Sequence, residues 1–310
     1  MLWSALLLPL LAAPAQPNLA AIQTKMDALC EKFDGKAGYC LKIMPDGPMI
    51  SRLGNRKFPT ASTIKTAIMI EAINQVDEGK LKWTDVKEVP KTAERTPNMS
   101  SMWAYFLRDG VKINLDGWCN LMITYSDNTA TKVVGMWVGN QAIYDRMKSF
   151  GLENTAFLSY APSDQTFFRR WNMRYGMGMT TPIEMAKFYE LIYKGKVASE
   201  AGTERIQRIL GRQYWDDVVA GAAPPDVRVL SKSGAISRSR SDNAIVYGRH
   251  HYVLTLYTDD QADRRWASDN AGDLLLQQLS SIAWNGLHPE RPYTPPKDAG
   301  KFAPTGGGIE

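Results

Sequence analysis

Residues 58–79 read FPTASTIKTAIMIEAINQVDEG, and the first candidate catalytic residues lie in this stretch. It predicts a strongly apolar helix with Ser62 and Lys65 three residues apart at its start, on one helix face. The surrounding isoleucine and alanine side chains would remove water from the Lys65 amine and favour its neutral form, which can accept the Ser62 hydroxyl proton. The helix N-terminus favours negative charge beside Ser62. Because a Ser-x-x-Lys spacing also arises by chance on solvated helix faces, the pair needs support from elsewhere in the chain.

Two further motifs supply that support. Ser126, Asp127 and Asn128 follow the apolar segment WCNLMITY and begin the next predicted helix, ATKVVGMWV. Residues 232–234, Lys-Ser-Gly, lie within a predicted strand. Ser-x-x-Lys, then Ser-Asp-Asn, then Lys-Thr-Gly is the signature of class A β-lactamases and penicillin-binding proteins. With the local strings FPTASTIK, ITYSDNTA and KSGAISRSRSDNAIVY, the chain resembles a class A β-lactamase-type serine hydrolase over roughly residues 19–286.

This resemblance implies a catalytic role for each motif. Ser62 would be the nucleophile and Lys65 its proton acceptor in acylation. Ser126 would pass a proton to the leaving amide nitrogen, with the positive charge of Lys232 beside it. The backbone N–H groups of Ser62 and Ala235 would form an oxyanion hole.

The resemblance also implies substrate-binding residues. Asn128 would hydrogen-bond the side-chain amide of the substrate and help to orient the catalytic lysine. Ser233 and Gly234 complete the third motif, in which the Ser233 hydroxyl can bind a substrate carboxylate. Arg238 or Arg240 would add positive charge for that carboxylate, although two arginines on a turn more often face solvent.

One part of the family pattern is missing. Class A β-lactamases hydrolyse the acyl-enzyme with a Glu in an E-x-x-L-N motif on a loop that ends at a Thr-Pro, which is Thr181-Pro182 here. Residues 154–180 contain no Glu and a single acid, Asp164, next to the expected position, and Phe168 stands where the motif has Asn. Asp164 is therefore the candidate deacylation carboxylate. If it cannot hold the water, the acyl-enzyme should be long-lived.

Three functions remain open on these residues. The first is a serine hydrolase that opens β-lactam amides through Ser62, with slow deacylation if the carboxylate is lacking. The second is a D-alanyl-D-alanine peptidase or an esterase of the same fold, which the missing Glu favours. The third is a non-catalytic penicillin-binding or sensor module.

Both ends of the chain predict the same kind of layer. A helix over 19–33 and a strand over 38–44 come first, and strand-like segments at 226–236, 243–247 and 252–257 precede a last helix near 266–282. The pattern indicates an α/β (α+β) fold: an antiparallel sheet from both chain ends, flanked by helices (about 16–60 and 212–287), with an inserted all-helical part (about 61–211). The resemblance implies the same arrangement. Residues 288–310, rich in Pro and Gly, predict a flexible tail.

Composition and the first residues bear on partners and compartment. The 310 residues are 44% hydrophobic with a net charge of +5 and no basic run, which excludes a disordered chain and indicates no nucleic-acid binding. Residues 1–15 resemble a signal peptide, although no Lys or Arg precedes the apolar run. An uncleaved anchor is the alternative, but the run is shorter than the ~20 residues of a bilayer span and Pro9 interrupts it. We therefore expect a periplasmic or secreted monomer that acts on a small molecule, with no membrane span in the mature chain.

Cysteine and histidine positions bear on redox and metal chemistry. Cys30 and Cys40 would form one bridge and leave Cys119 alone, or all three would be buried thiols. The 3 His show no metal-ligand spacing, and neither a P-loop nor a dinucleotide fingerprint is present. We expect no metal and no cofactor.

Overall fold

The computed structural model describes residues 17–95 and 103–296, which contain both α-helices and β-strands. The helices are α1 (Leu19–Glu31), α2 (Lys65–Asp77), α3 (Leu115–Thr124), α4 (Asn128–Val138), α5 (Asn140–Ser149), α6 (Thr166–Tyr175), α7 (Pro182–Tyr193), α8 (Glu200–Leu210) and α9 (Ala271–Leu287). The strands are β1 (Lys36–Ile43), β2 (Met49–Arg52), β3 (Phe58–Pro59), β4 (Val86–Glu88), β5 (Lys112–Asn114), β6 (Ala156–Phe157), β7 (Gly178–Thr180), β8 (Val229–Ile236), β9 (Ser239–Tyr247) and β10 (His251–Asp259). The signal peptide predicted over residues 1–15 lies outside the described residues.

A five-stranded antiparallel sheet, in the order β2-β1-β10-β9-β8, joins the two ends of the chain. Its central pair is β1 with β10, which runs from Lys36 opposite Asp259 to Ile43 opposite Tyr252. β9 continues the sheet from β10, and β8 forms its edge. The predicted α/β fold, with an antiparallel sheet built from both chain ends, is confirmed.

The two faces of the sheet are buried against different helices. Because side chains alternate along a strand, Tyr39 and Leu41 pack with α1 and α9, whereas Cys40 points to the opposite face, where α2 and α7 pack. Within α2, every residue from Lys65 to Ile73 is buried. The apolar helix predicted after Ser62 is therefore α2, which runs through the core of the inserted part, and Lys65 is buried with it.

The cysteines are unpaired thiols, all of them buried. Cys30 belongs to the core beneath α1 and α9, and Cys40 belongs to the core on the other face of the sheet. The bridge that the sequence left open is therefore not formed. Burial raises the pKa of each thiol to about 12, so these groups stay protonated near neutral pH.

The inserted part contains short strands that the helical reading of residues 61–211 did not include. β6 and β7 join β3 in a three-stranded sheet of order β3-β7-β6, and β4 pairs with β5. Each of these strands is two or three residues long, which is too short for an alternating pattern to show in the sequence. β3 ends at Pro59, so this small sheet fixes the chain just before Ser62.

Residues 288–293, at the start of the predicted flexible tail, are packed against the rest of the chain. His288 is buried and stacks on Trp284, with ring centroids 4.0 Å apart. Trp284 Nε1 donates to the Arg291 carbonyl at 3.0 Å, and the Tyr293 N–H donates to Asn285 Oδ1 at 2.7 Å. Residues 288–293 therefore pack on the end of α9. The sequence did not indicate this, because a ring stack and hydrogen bonds produce no periodic apolar pattern. Residues 297–310 lie outside the described residues.

Candidate active site

Ser62 lies on a tight turn between β3 and α2. The turn is a 3-10 helix over Ala61–Ile64, so the α-helix begins at Lys65 and not at Ser62. Ala61 has a φ of 44°, a left-handed conformation that costs of order 1 kcal/mol or more for a residue with a side chain. The Thr60 carbonyl accepts from Thr63 Oγ1 at 2.8 Å and from Ser241 Oγ at 2.9 Å. These contacts hold the strained turn against the sheet.

The edge strand β8 passes against this turn at Gly234. A Cβ atom at Gly234 would lie 2.7 Å from the Thr60 carbonyl oxygen and 2.8 Å from the Ser62 nitrogen, closer than side-chain carbons approach backbone atoms. Glycine is therefore required for the strand to lie this close. The following residue, Ala235, is exposed at the sheet edge. The fold thus brings the Ser62 and 234–235 backbone segments together, as a shared oxyanion hole requires.

Lys65 is fully buried one helical turn after Ser62. Its Nζ donates to the Ser126 carbonyl at 2.6 Å, to Ser126 Oγ at 3.2 Å and to Asn128 Oδ1 at 2.6 Å. Burial holds the pKa of this amine well below its usual range, and the nearby Lys232 lowers it further, while Asp127 opposes the shift. The shift is toward the neutral amine, which is the form that can act as a general base.

Ser126 sits in a second strained turn, with a φ of 57°. The next residue, Asp127, is buried and caps α4, since its Oδ1 accepts from the Ala130 N–H at 2.8 Å. Its Oδ2 accepts from the Ala104 N–H at 3.0 Å, and Asn128 is the first residue of α4. The middle residue of the motif therefore fixes the geometry of its two neighbours, a role that the sequence reading did not assign.

Lys232 lies on β8, two residues before Gly234, and is fully buried. Its Nζ donates to the Ser233 carbonyl at 2.9 Å. Burial lowers the pKa of Lys232 to about 7, against the opposing attraction of Asp242. Burial also raises the pKa of Asp242 to about 7, which the Val219 N–H bonded to it opposes. Gly234 lies against the nucleophile turn and Lys65 bonds to Ser126, so the second and third motifs both adjoin that turn. Ser233 is half-buried.

The two arginines predicted to bind a substrate carboxylate have other partners. Ser241 faces Thr60 and the cleft, so Arg240, one residue earlier on β9, points to the opposite face of the sheet. Arg240 is buried, and its Nε donates to Asp273 Oδ2 at 2.8 Å. Arg240 is therefore corrected to a structural residue beneath the sheet. Arg238 bonds to Asp259 and, at 3.0 Å, to Asp260, and Arg56 and Arg174 pair with the same two carboxylates, so Arg238 belongs to a cluster of three arginines and two acids.

Asp164 lies in the turn that precedes α6. Its side chain is exposed, and its carbonyl accepts from the Thr166 N–H at 3.0 Å. Phe168, four residues later, fills the interior of this loop and packs with Leu158 and Met179. The acceptors around the Lys65 amine are a carbonyl, a hydroxyl and a side-chain amide, and Asp164 is not among them.

The described residues, 17–95 and 103–296, contain no group of three or more His, Cys, Asp or Glu side chains arranged to hold a metal ion. None of their helices combines the length and hydropathy that crossing a bilayer requires.

Comparison with known proteins gives consistent matches. A model described as "Beta-lactamase enzyme family" matches residues 21–287. Beta-lactamase CARB-3 of Pseudomonas aeruginosa is 22% identical over 259 residues, which cover 81% of this chain and 86% of that protein. The crystal structure of a beta-lactamase from Sphaerobacter thermophilus has a TM-score of 0.75 at 22% identity and covers 90% of this chain and 100% of its own. A Leu-to-Glu mutant of PBP-A, in an acyl-enzyme complex with penicillin G, has a TM-score of 0.75 at 21% identity, and the match covers 89% of this chain and 100% of the PBP-A chain.

Proposed function

Because this chain belongs to the beta-lactamase enzyme family and is a serine hydrolase related to the class A enzymes, we propose that Ser62 attacks the amide carbonyl of a β-lactam. The observation that carries the proposal is the buried Lys65 amine, one turn from Ser62 and bonded to both Ser126 and Asn128. A base of lowered pKa beside a serine is the arrangement that nucleophilic catalysis needs.

The acylation step follows from these groups. Lys65 Nζ takes the Ser62 proton as Ser62 Oγ bonds to the carbonyl carbon, and the oxyanion is stabilised by the backbone N–H groups of Ser62 and Ala235. The ring C–N bond then breaks, and Ser126 Oγ donates its proton to the leaving nitrogen. Because Lys65 Nζ lies 3.2 Å from Ser126 Oγ, the proton taken from Ser62 can be returned to Ser126. The product is an ester on Ser62 that water must hydrolyse.

Substrate orientation is assigned to the remaining motif residues. The Ser233 hydroxyl and the protonated Lys232 would bind the carboxylate of the β-lactam, and Asn128 would bind its side-chain amide while it holds Lys65. Gly234 lets β8 lie against the nucleophile turn, which keeps Ser233 and Ala235 close to Ser62. Arg238 has no assigned contact with the substrate in this proposal, because its guanidinium bonds to Asp259 and Asp260.

Intact mass spectrometry with benzylpenicillin tests the proposal. We expect a covalent adduct on the wild-type protein and none on Ser62→Ala. Ser149→Ala, on an exposed serine at the end of α5, is the matched control and should form the adduct as fast as the wild type. An adduct on Ser62→Ala would show that another residue is the nucleophile. A wild type that neither forms the adduct nor hydrolyses benzylpenicillin would contradict the assignment and leave a non-catalytic module as the explanation.

A second candidate function rests on the environment of Lys65, where none of the three acceptors is a carboxylate. If no carboxylate activates the deacylating water, penicillin adducts should persist for hours, and the natural reaction would be that of a D-alanyl-D-alanine peptidase or an esterase. The decay of the benzylpenicillin adduct decides between the two. Loss within seconds supports a β-lactamase, and persistence with release of D-alanine from a D-alanyl-D-alanine peptide supports the peptidase.

We also propose that the protein is exported to the periplasm or secreted, and acts as a monomer. The apolar residues 1–15 with their small-residue end support export. N-terminal sequencing of the protein from the periplasmic or extracellular fraction should begin near residue 16, and gel filtration should give the mass of one chain.

A further inference from the structure

The exposed face of α6 combines positive charge with a protruding apolar side chain. It consists of Arg169, Arg170 and Met173, and we call it the arginine face. We propose that the arginine face docks the protein on an anionic lipid bilayer. This inference concerns a surface outside the Lys65 cluster and is independent of the proposed function.

Helix geometry separates the arginine face from the packed face of α6. Met173 lies three residues after Arg170 and four after Arg169, so the three side chains are neighbours on one side of the helix. Phe168 is buried and packs with Leu158 in the interior of the loop. One face of α6 is thus held against the protein, and the arginine face is exposed to solvent.

The charge of the arginine face is not neutralised by acids. The sequence of α6, TFFRRWNMRY, contains three arginines and no acid. The two acids at and after the end of β10 pair with the third arginine, Arg174. Arg169 donates to the Ser163 carbonyl at 3.3 Å, and in the described part of the chain neither Arg169 nor Arg170 forms an ion pair. Two full positive charges therefore stand on this face.

Aromatic rings and one more cation adjoin the arginine face. Lys57 Nζ lies 4.8 Å from the centre of the Trp171 ring, and the Arg170 guanidinium lies 5.8 Å from the same ring. Phe167 is 39% exposed and stacks on Tyr144, with ring centroids 5.2 Å apart. Aromatic side chains are enriched where a bilayer meets water, and cationic side chains bind anionic headgroups there.

Met173 distinguishes a bilayer from other anionic partners. Its side chain is 91% exposed, more than any other large hydrophobic side chain in the described residues. An anionic polymer would bind the two arginines and leave the thioether in water. A bilayer can take the thioether in at the boundary of its acyl chains while the guanidinium groups stay among the headgroups. Charge complementarity and an insertable side chain together favour an anionic lipid surface.

Vesicle sedimentation tests this docking surface. The full chain and its variants are compared on phosphatidylcholine vesicles and on vesicles with about one third phosphatidylglycerol. We expect tighter binding to the anionic vesicles, which weakens as salt is added. Arg169→Gln and Arg170→Gln should each weaken it about fivefold, the contribution of one arginine near an anionic membrane. Met173→Gln keeps the length of the side chain but removes its apolar character, and should also weaken binding about fivefold.

Arg249→Gln and Met136→Gln are the matched controls. Arg249 precedes β10, whereas α6 bonds through Arg174 to Asp259 at the other end of that strand. Met136 is 60% exposed on α4. Both controls should bind the anionic vesicles within about twofold of the wild type, because a docking face depends on position and not on net charge alone.

A polarity-sensitive thiol label shows which surface meets the lipid. The native cysteines are buried, so the reagent should label Met173→Cys selectively. Its emission should shift to the blue on anionic vesicles, whereas the same label on Met136→Cys should not respond. All variants share residues 1–15, so any lipid affinity of that segment is common to them.

An unshifted label at residue 173, or arginine variants that bind like the wild type, would overturn the proposal. Binding to dextran sulfate that Met173→Gln leaves intact, without binding to vesicles, would assign the arginine face to an anionic polymer instead. Circular dichroism and thermal unfolding show whether each variant is folded, and the label at residue 173 still tests the face if an arginine variant is not. The benzylpenicillin adduct forms without vesicles, so it reports on the proposed function separately.

Discussion

The approach of β8 to the nucleophile turn can be tested at Gly234. In Gly234→Ala the new methyl group would lie 2.7 Å from the Thr60 carbonyl oxygen and 2.8 Å from both the Ser62 nitrogen and Ser241 Oγ. Two of these three atoms belong to the backbone, so the contacts cannot be relieved by a rotating side chain. The strand and the turn must move apart instead.

The required movement sets the size of the effect. Ordinary van der Waals contact begins at 3.4 Å, so β8 must retreat by about 0.7 Å from Thr60. A displacement of 1 Å in a catalytic constellation costs about a hundredfold in rate, so 0.7 Å should slow acylation by about thirtyfold. The same overpacking should lower the free energy of unfolding by about 1–3 kcal/mol. Both effects come from one movement, because the proposed oxyanion hole spans the gap between the two segments.

Benzylpenicillin acylation, followed by quenched-flow intact mass, measures the first effect, and urea unfolding measures the second. Gly221→Ala is the matched control, since its methyl group would meet only the Asp216 carbonyl, at 3.2 Å, and the position carries no left-handed φ. It should acylate within twofold of the wild type. If Gly234→Ala is folded and acylates within threefold of the wild type, the close approach at Gly234 is not what positions the oxyanion hole.

Three further predictions concern charged groups. Asp164→Asn should leave the decay rate of the penicillin adduct within twofold of the wild type, because that carboxyl is exposed; a hundredfold slower decay in the same mass assay would identify it as the deacylation base. Arg240→Gln should lower the free energy of unfolding in urea by about 2–3 kcal/mol, since it leaves the partly buried Asp273 unpaired, without changing KM for benzylpenicillin; a tenfold rise in KM would return Arg240 to the cleft. Because the pKa of Lys232 is lowered to about 7, its positive charge is present below that pH and lost above it, so KM for a β-lactam carboxylate should rise between pH 7 and 9, by at most tenfold per pH unit. The uncharged methyl ester of the same β-lactam should show no such rise, and parallel profiles for the two would exclude this role for Lys232.

Local patterns predicted the sheet and the placement of the motifs. The strands and terminal helices follow residues whose periodicity is readable over a few turns, and Lys65, Ser126 and Asn128 meet because their motifs sit at helix starts. The details depend on where elements begin. β9 starts at Ser239, four residues before the predicted start at Asn243, and this extension moves Arg240 from a turn into a strand. Once in the strand, its direction is set by alternation and is opposite to that of Ser241.

Contacts between distant segments could not be predicted in this way. The rings of Trp103, Tyr125 and Tyr214 contact one another although they come from three separate segments, and no window of sequence contains more than one of these segments. The position of Ser62 in a 3-10 turn is likewise set by what packs on it, since Ser241 and Gly234 come from the other end of the chain. Tertiary contacts therefore decide how the local motif is presented.

The two halves of the proposed reaction depend on differently built parts of the molecule. Lys65 on α2 is bonded to the turn that carries Ser126 and to Asn128 on α4, with its buried amine 2.6 Å from the Ser126 carbonyl and from Asn128 Oδ1. β8 lies against the nucleophile turn at Gly234. The loop that would supply deacylation has an exposed acid at Asp164 and a phenylalanine in its interior. A pre-organised base such as Lys65 accelerates ester formation. The acid of the loop, Asp164, is exposed and has no comparable buried setting. We therefore propose that acylation by β-lactams is fast relative to release of the product, and adduct lifetime is the quantity that most directly separates a β-lactamase from a penicillin-binding enzyme on this fold.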